Sequence, residues 1–140
     1  MSSGDVVAAR FVPSRPLKVL IAEDNLINQR VVLGLLAQLG HTGVVVGDGE
    51  KALRCLSKLQ FDAVLMDVMM PLMDGLEALA AIRNQEQSTG QHVPVLMATA
   101  HDESGDADRF TRAGADGYIP KPMDLETLHA ELERVTAVPS

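Results

Sequence analysis

From Leu17 onward the chain alternates short, almost unbroken apolar runs with longer amphipathic segments, and this alternation limits the possible folds more than any other feature. The five runs are Leu17 to Ala22, Thr42 to Gly47, Ala63 to Met66, Val93 to Ala98 and a brief Gly117 to Ile119. A strand with one wet face alternates polar and apolar residues, whereas consecutive apolar residues demand burial on both faces, as in a parallel sheet covered by helices. The segments near Leu26 to Leu39, Gly49 to Leu59, Gly75 to Gln87, Ser104 to Ala113 and Leu125 to Thr136 supply those helices. Five βα units in succession predict an α/β fold, three layers doubly wound around one parallel sheet, with ligands bound beyond the C-terminal ends of the strands.

Each helix carries its own punctuation. Asn25, Asp48, Asp74 and Asp124 stand at N-cap positions, and Glu77 three residues after Asp74 completes a capping-box pattern. Gly40 and Gly114 supply left-handed positions past helix ends. On the first helix Ile27, Val31, Leu35 and Leu39 recur every four residues, and Val32 and Leu36 widen the stripe that is expected to pack on the sheet. Ser104 to Ala113 is a poorer helix, because Gly105, Asp106 and Asp108 disfavour it and its apolar stripe is thin, consistent with a low-stability element. Residues 1–16, with two prolines and no periodicity, read as a tail or linker, 17–137 as one domain and 138–140 as a short C-terminal tail.

Composition narrows the function classes. A chain of 140 residues with 46% apolar but 3% aromatic content builds an aliphatic core. A formal net charge of −7 repels nucleic-acid phosphates, so no direct nucleic-acid partner is expected. Cys55 is the single cysteine and sits in a helical packing pattern; no run is long enough to span a membrane and no leader pattern opens the chain, so the cytoplasm is the expected compartment. His41, His92 and His129 lack metal-ligand spacing and read as surface or edge residues. Met66, Met69, Met70 and Met73 read mostly as packing, with Met70 and Met73 the candidates for exposure to a partner.

The chemistry lies at the strand ends. The first strand runs into Glu23, Asp24 and Asn25, the third into Asp67 and the fourth into Thr99, while Lys121 follows the fifth. A lone acid after a strand is usually a helix cap or a solvated carboxylate, but three carboxylates in one crevice repel by about 4 kcal/mol per pair at about 4 Å and an effective dielectric near 20. A divalent cation offsets that repulsion, and all-oxygen donors suit Mg²⁺, with Mn²⁺ as a substitute. A dinucleotide fold would place a glycine-rich turn after the first strand, where this chain has Glu23 and Asp24, and no Walker-type loop is present. A haloacid-dehalogenase-type phosphatase needs a second Asp two residues after the nucleophile; this chain has Met69.

At these positions the chain from about Leu17 to Val135 resembles a response-regulator receiver (CheY-like) domain. The resemblance rests on Leu20-Ile21-Ala22-Glu23-Asp24-Asn25, on Leu65-Met66-Asp67-Val68-Met69-Met70-Pro71-Leu72-Met73-Asp74-Gly75, on Ala98-Thr99-Ala100-His101 and on Tyr118-Ile119-Pro120-Lys121-Pro122. It implies a flavodoxin-like strand order 2-1-3-4-5 and a cis Lys121–Pro122 peptide. It further implies that Asp67 accepts a phosphoryl group from phosphohistidine on a histidine kinase or phosphotransfer protein, or from a small donor such as acetyl phosphate. Asp24 would contact Mg²⁺ directly, Glu23 mostly through water, and the Met69 carbonyl would complete the protein ligands. Lys121 would pair with Asp67 and then with the phosphoryl oxygens, and Thr99 would donate its hydroxyl to the phosphoryl group. Tyr118 would report the switch by its rotamer, Met69 and His101 would tune the rate of hydrolysis, and a downstream protein would read the face of the fourth helix, fifth strand and fifth helix.

Such a domain is not an enzyme in the usual sense; it promotes its own phosphorylation and dephosphorylation. Past Lys121 the sequence offers one amphipathic helix on Leu125, Leu128, Leu132 and Val135, so output through protein contacts is expected. The Glu23-Asp24-Asn25-x-x-Asn28 opening and the stretch Ala98 to His101 resemble receivers of hybrid sensor histidine kinases more than free-standing regulators. Two other readings are a pseudo-receiver scaffold, which would have lost the acceptor, acid pair or lysine, and an aspartyl-phosphate hydrolase, which lacks its second acid.

Overall fold

The computed structural model describes residues 15–70, 73–100 and 104–137, so the tails expected at 1–16 and 138–140 lie almost wholly outside the described residues. Strands β1 (Lys18–Ala22), β2 (Thr42–Val46), β3 (Ala63–Asp67), β4 (Val95–Thr99) and β5 (Gly117–Pro120) alternate with helices α1 (Leu26–Gln38), α2 (Gly49–Lys58), α3 (Gly75–Glu86), α4 (Ser104–Ala113) and α5 (Leu125–Thr136). The strands form one parallel sheet in the order β2-β1-β3-β4-β5, as expected. Every residue of β3 and β4 is buried, which is why these strands read as continuous apolar runs.

Alternate strand residues feed two cores. Val19, Ile21, Leu65 and Ile119 pack with Val32 and Leu36 of α1 and with Leu128 and Leu132 of α5. Leu20, Val64, Met66, Val95 and Met97 pack with Ala52 of α2, Ala78 and Ile82 of α3 and Phe110 of α4. Sandwiching the sheet in this way leaves the strand ends as the places where polar side chains gather.

The caps form as the sequence implies. Asn25, Asp48, Asp74 and Asp124 accept from the main-chain N–H groups of Asn28, Lys51, Glu77 and Thr127 at 3.0, 2.9, 2.9 and 2.7 Å. Gly40 and Gly114 take positive φ values of 85° and 106°, as a left-handed position past a helix requires.

Four expectations need correction. On α1 the buried face is Val32, Leu36 and Leu39, while Leu26, Ile27 and Val31 are 69, 72 and 49% exposed. The four-residue stripe drifts around the helix, because one turn takes 3.6 residues, and its first turn overhangs the sheet end. His41 is buried, not at an edge: past Gly40 its Nδ1 accepts the Leu17 N–H at 3.0 Å, satisfying the amide just before β1. Met69, not Met70 or Met73, is the open methionine of its loop, 75% exposed, while the other two pack on the core. Arg15, assigned to the linker, is tied to Asp62 at 2.8 Å.

Candidate phosphoacceptor site

The register of the sheet assembles the site. β1 pairs with β3 so that Ala22 lies beside Met66, which sets Glu23 and Asp24 next to Asp67. β3 pairs with β4 so that Asp67 lies beside Ala98, one residue before Thr99. β4 pairs with β5 so that Thr99 lies beside Pro120, and the Lys121 N–H donates to the Thr99 carbonyl at 2.7 Å.

Carboxylate oxygens of Glu23, Asp24 and Asp67 lie within 4.8 Å of one another. Lys121 Nζ stands 2.9 Å from Asp67 Oδ1 and 3.2 Å from Glu23 Oε1. Glu23, Asp67 and Thr99 are buried, whereas Asp24 is exposed at the mouth. Burial would lower the Lys121 pKa, but its hydrogen bond to Asp67 and the charges of Asp67 and Glu23 outweigh that effect, and the net shift is upward. Among the described residues one ammonium faces three carboxylates, which leaves the crevice short of positive charge.

Main-chain N–H groups and the Gln29 side chain hold the acids in place. The Asn25 N–H donates to Glu23 Oε2 at 3.1 Å, Gln29 Nε2 donates to the Glu23 carbonyl at 2.6 Å, and the Met69 N–H donates to Asp67 Oδ1 at 3.2 Å. The Lys121–Pro122 peptide is cis, as expected. Tyr118 is half-buried, its ring centroid 6.3 Å from that of Phe110 on α4. His101 lies outside the described residues. A hollow of about 380 Å³ lined by Leu56, Phe61, Ile82, Glu86 and His92 is far from this chemistry, at the opposite end of the sheet.

Residues that the sequence reading missed are Leu26 and Ile27, which follow the acid pair after Asn25, and Val31 one turn on. Together with Met69 they put an exposed apolar rim beside a charged crevice. Their only signal was a stripe longer than the face it could bury.

A doubly wound sheet with an acid trio and a lysine at its strand ends defines a class of signalling receiver. The comparisons agree: the family model of the response regulator receiver domain matches residues 19–133, and the chain belongs to that family. It is 39% identical over 119 residues to hybrid signal transduction histidine kinase I of Dictyostelium discoideum, a match that covers 81% of this chain but 7% of that protein. Among solved structures it resembles the receiver domain of the Pseudomonas aeruginosa sensor histidine kinase PA1611, which has a magnesium ion coordinated in its active-site cleft, at 35% identity and a TM-score of 0.78, covering 89% of this chain and 100% of that one. It also resembles, at 25% identity and a TM-score of 0.80 over 86% of this chain and 89% of that one, a chain of the co-crystal of the Saccharomyces cerevisiae phosphotransfer protein Ypd1 with the receiver domain of Ssk1. The chain is therefore a phosphorelay receiver, spanning a small part of the hybrid kinases that it matches.

Proposed function

We propose that Asp67 is the phosphoacceptor, with Glu23, Asp24, Lys121 and Thr99 as its working partners. The observation that carries this reading is the meeting of three carboxylates within 4.8 Å, with Lys121 2.9 Å from Asp67. This donor set fits Mg²⁺: all oxygen, too rich in negative charge for the Lys121 ammonium, and open to solvent at Asp24. Glu23, Asp24, Asp67 and the Met69 carbonyl would hold the ion, and Mn²⁺ would suit the same donors. Bound there, the cation offsets carboxylate charge and polarises phosphoryl oxygens.

Asp67 attacks the phosphorus of a phosphohistidine in line. A P–O bond forms as the P–N bond breaks, and the imidazole nitrogen leaves with that electron pair. Lys121, already paired with Asp67, follows the charge onto the phosphoryl oxygens, and the Thr99 hydroxyl donates to one of them. Water later attacks the same phosphorus, releasing phosphate and restoring the carboxylate, at a rate tuned by Met69 and His101. These steps make the domain the catalyst of its own phosphorylation and dephosphorylation.

The donor is a histidine kinase or phosphotransfer protein, a pairing of the kind that the Ypd1–Ssk1 co-crystal exemplifies, and the compartment read from the sequence is the cytoplasm. The exposed rim of Leu26, Ile27, Val31 and Met69 gives it an apolar landing around the acids. Thr99 and Tyr118 carry the phosphoryl state to the face of α4, β5 and α5, which a downstream protein reads.

The test is labelling from acetyl phosphate with Mg²⁺. The parent chain takes up acid-stable, hydroxylamine-labile phosphate, and Asp67→Asn takes up none, because an amide forms no acyl phosphate. Undiminished labelling of that variant would refute the assignment.

A further inference from the structure

At the opposite end of the sheet from the acid cluster, the largely buried guanidinium of Arg83 on α3 makes four hydrogen bonds that tie its helix to the segment before β4 and to the turn before β5. Its Nε donates to the Gly114 carbonyl at 2.9 Å, Nη1 to the Val93 carbonyl at 2.8 Å and to Glu86 at 2.7 Å, and Nη2 to Asp116 Oδ2 at 2.8 Å. The acceptors are themselves tied to the chain. Asp116 Oδ2 also takes the Val95 N–H at 2.8 Å, Asp116 Oδ1 lies 2.8 Å from His92 Nε2, and Glu86 takes the Val93 N–H at 2.6 Å. Gly114 has φ of 106°, and a Cβ there would meet the Arg83 side chain at 3.1 Å.

This clasp grips the first residue of β4 and the residue before β5. Those strands pair in one register, Leu96 beside Gly117 through Thr99 beside Pro120. Thr99 stands four residues on from Val95 and Lys121 five on from Asp116, about 13 to 17 Å along the strands. β1 and β3, which carry the acids, touch none of the four Arg83 bonds. A slip at the base of β4 and β5 would therefore shift Thr99 and Lys121 against Asp67 while leaving the carboxylates together.

We propose that Arg83 is a positioning residue: through Asp116, Gly114 and Val93 it fixes the lengthwise register of β4 and β5, and so places Thr99 and Lys121 over the phosphoryl group. This rests on the reading of Asp67, Thr99 and Lys121 given above. A role in stability alone would not separate the two halves of the site, whereas this role does.

The experiment compares the full chain with Arg83→Met by amide NMR in two titrations, first with Mg²⁺ alone and then with beryllofluoride in saturating Mg²⁺. In the variant the Mg²⁺ affinity stays within about twofold, while beryllofluoride affinity falls between about tenfold and a hundredfold, the loss that a displacement near 1 Å brings to a positioned group. Faster exchange of the Val93, Val95 and Asp116 amides marks the clasp as open. Arg83→Lys, keeping one charge but not the fork, falls between parent and Arg83→Met. Unchanged beryllofluoride affinity with those amides exposed, or equal loss of both affinities, overturns the positioning role. A parent that binds neither probe near Asp67 overturns the site reading, and this inference with it. Should Arg83→Met not fold, Asp116→Asn, which removes the charge facing Arg83, is read in the same way.

Discussion

Removing the charge of Asp24 should stabilise the fold in metal-free buffer and abolish its response to Mg²⁺. Asp24 lies within 4.8 Å of carboxylate oxygens of both Glu23 and Asp67, and the two ion pairs of Lys121 go to those neighbours. Each repulsion is at least about 0.9 kcal/mol at a water-like dielectric and about 3.5 kcal/mol at an effective value of 20. Asp24 is exposed, so the lower figure governs, and with two neighbours and screening near 0.15 M salt the relief is about 1 to 2 kcal/mol. Asp24→Asn should then raise the melting temperature by roughly 5 °C in EDTA, less in high salt. Mg²⁺ reverses the order. At ten times its Kd a cation stabilises the parent by about 1.4 kcal/mol, and at a hundred times by about 2.7 kcal/mol, enough to overtake the variant. Thermal unfolding in EDTA and along a Mg²⁺ series reads both arms. A variant less stable than the parent in EDTA, or one that gains as much from Mg²⁺, would refute both the charge argument and the placing of the metal.

Thr99→Ala keeps the acceptor and the acid donors, so it should still take up phosphate from acetyl phosphate but show weaker beryllofluoride-dependent amide shifts at Tyr118 and α4; parent-like shifts there would remove Thr99 from the relay. Burial holds the His41 pKa below its usual value, against the pull of Glu133 and Asp62 and with the help of His129. The unfolded chain therefore binds the proton first as pH falls through the normal histidine value toward the lowered folded one, and stability should drop across that window. Urea unfolding at pH 7 and pH 5 should show this slope flattened in His41→Gln. A Cβ at Gly75 would run into the Asp67 carbonyl and Val68, so Gly75→Ala should cost about 1 to 3 kcal/mol in urea unfolding, and a neutral result would mean that this loop yields easily.

Continuous apolar runs announce double-faced burial wherever they occur, so the sheet and its helices could be read without a structure; their last residues could not. β3 extends through Asp67 and β4 through Thr99, because main-chain amides continue the ladder whatever the side chain: Val68 N–H reaches the Ala98 carbonyl at 3.0 Å and Lys121 N–H the Thr99 carbonyl at 2.7 Å. β4 begins at Val95 and not Val93, since Pro94 has no N–H to give and the Val93 amide is taken by Glu86. The acid trio was legible because three like charges at the ends of two neighbouring strands have no structural reason to meet. Arg83 was not, because one arginine on a helix looks the same whether it faces water or ties its helix to two loops, and only the meeting of Val93, Gly114 and Asp116 in space distinguishes the two.

The exposed first turn of α1 joins these two kinds of outcome. Periodicity places apolar side chains on a helix face, but it does not say how far the sheet beneath extends, and β1 stops at Ala22 where Glu23 and Asp24 begin. A strand end that must stay open for an acid cluster therefore leaves the adjoining helix turn uncovered. Leu26, Ile27 and Val31 keep their apolar character there although burial does not repay it, and Met69, two residues after Asp67, does the same. Single exposed apolar residues need no explanation, but four around one charged opening do. On the proposed function, contact with a donor that brings its phosphohistidine to Asp67 would account for them. On that account Ile27→Asp and Met69→Asp should slow phosphotransfer from a protein donor far more than labelling by acetyl phosphate, which needs no landing surface. Equal slowing with both donors would place these residues in the chemistry and not at its rim.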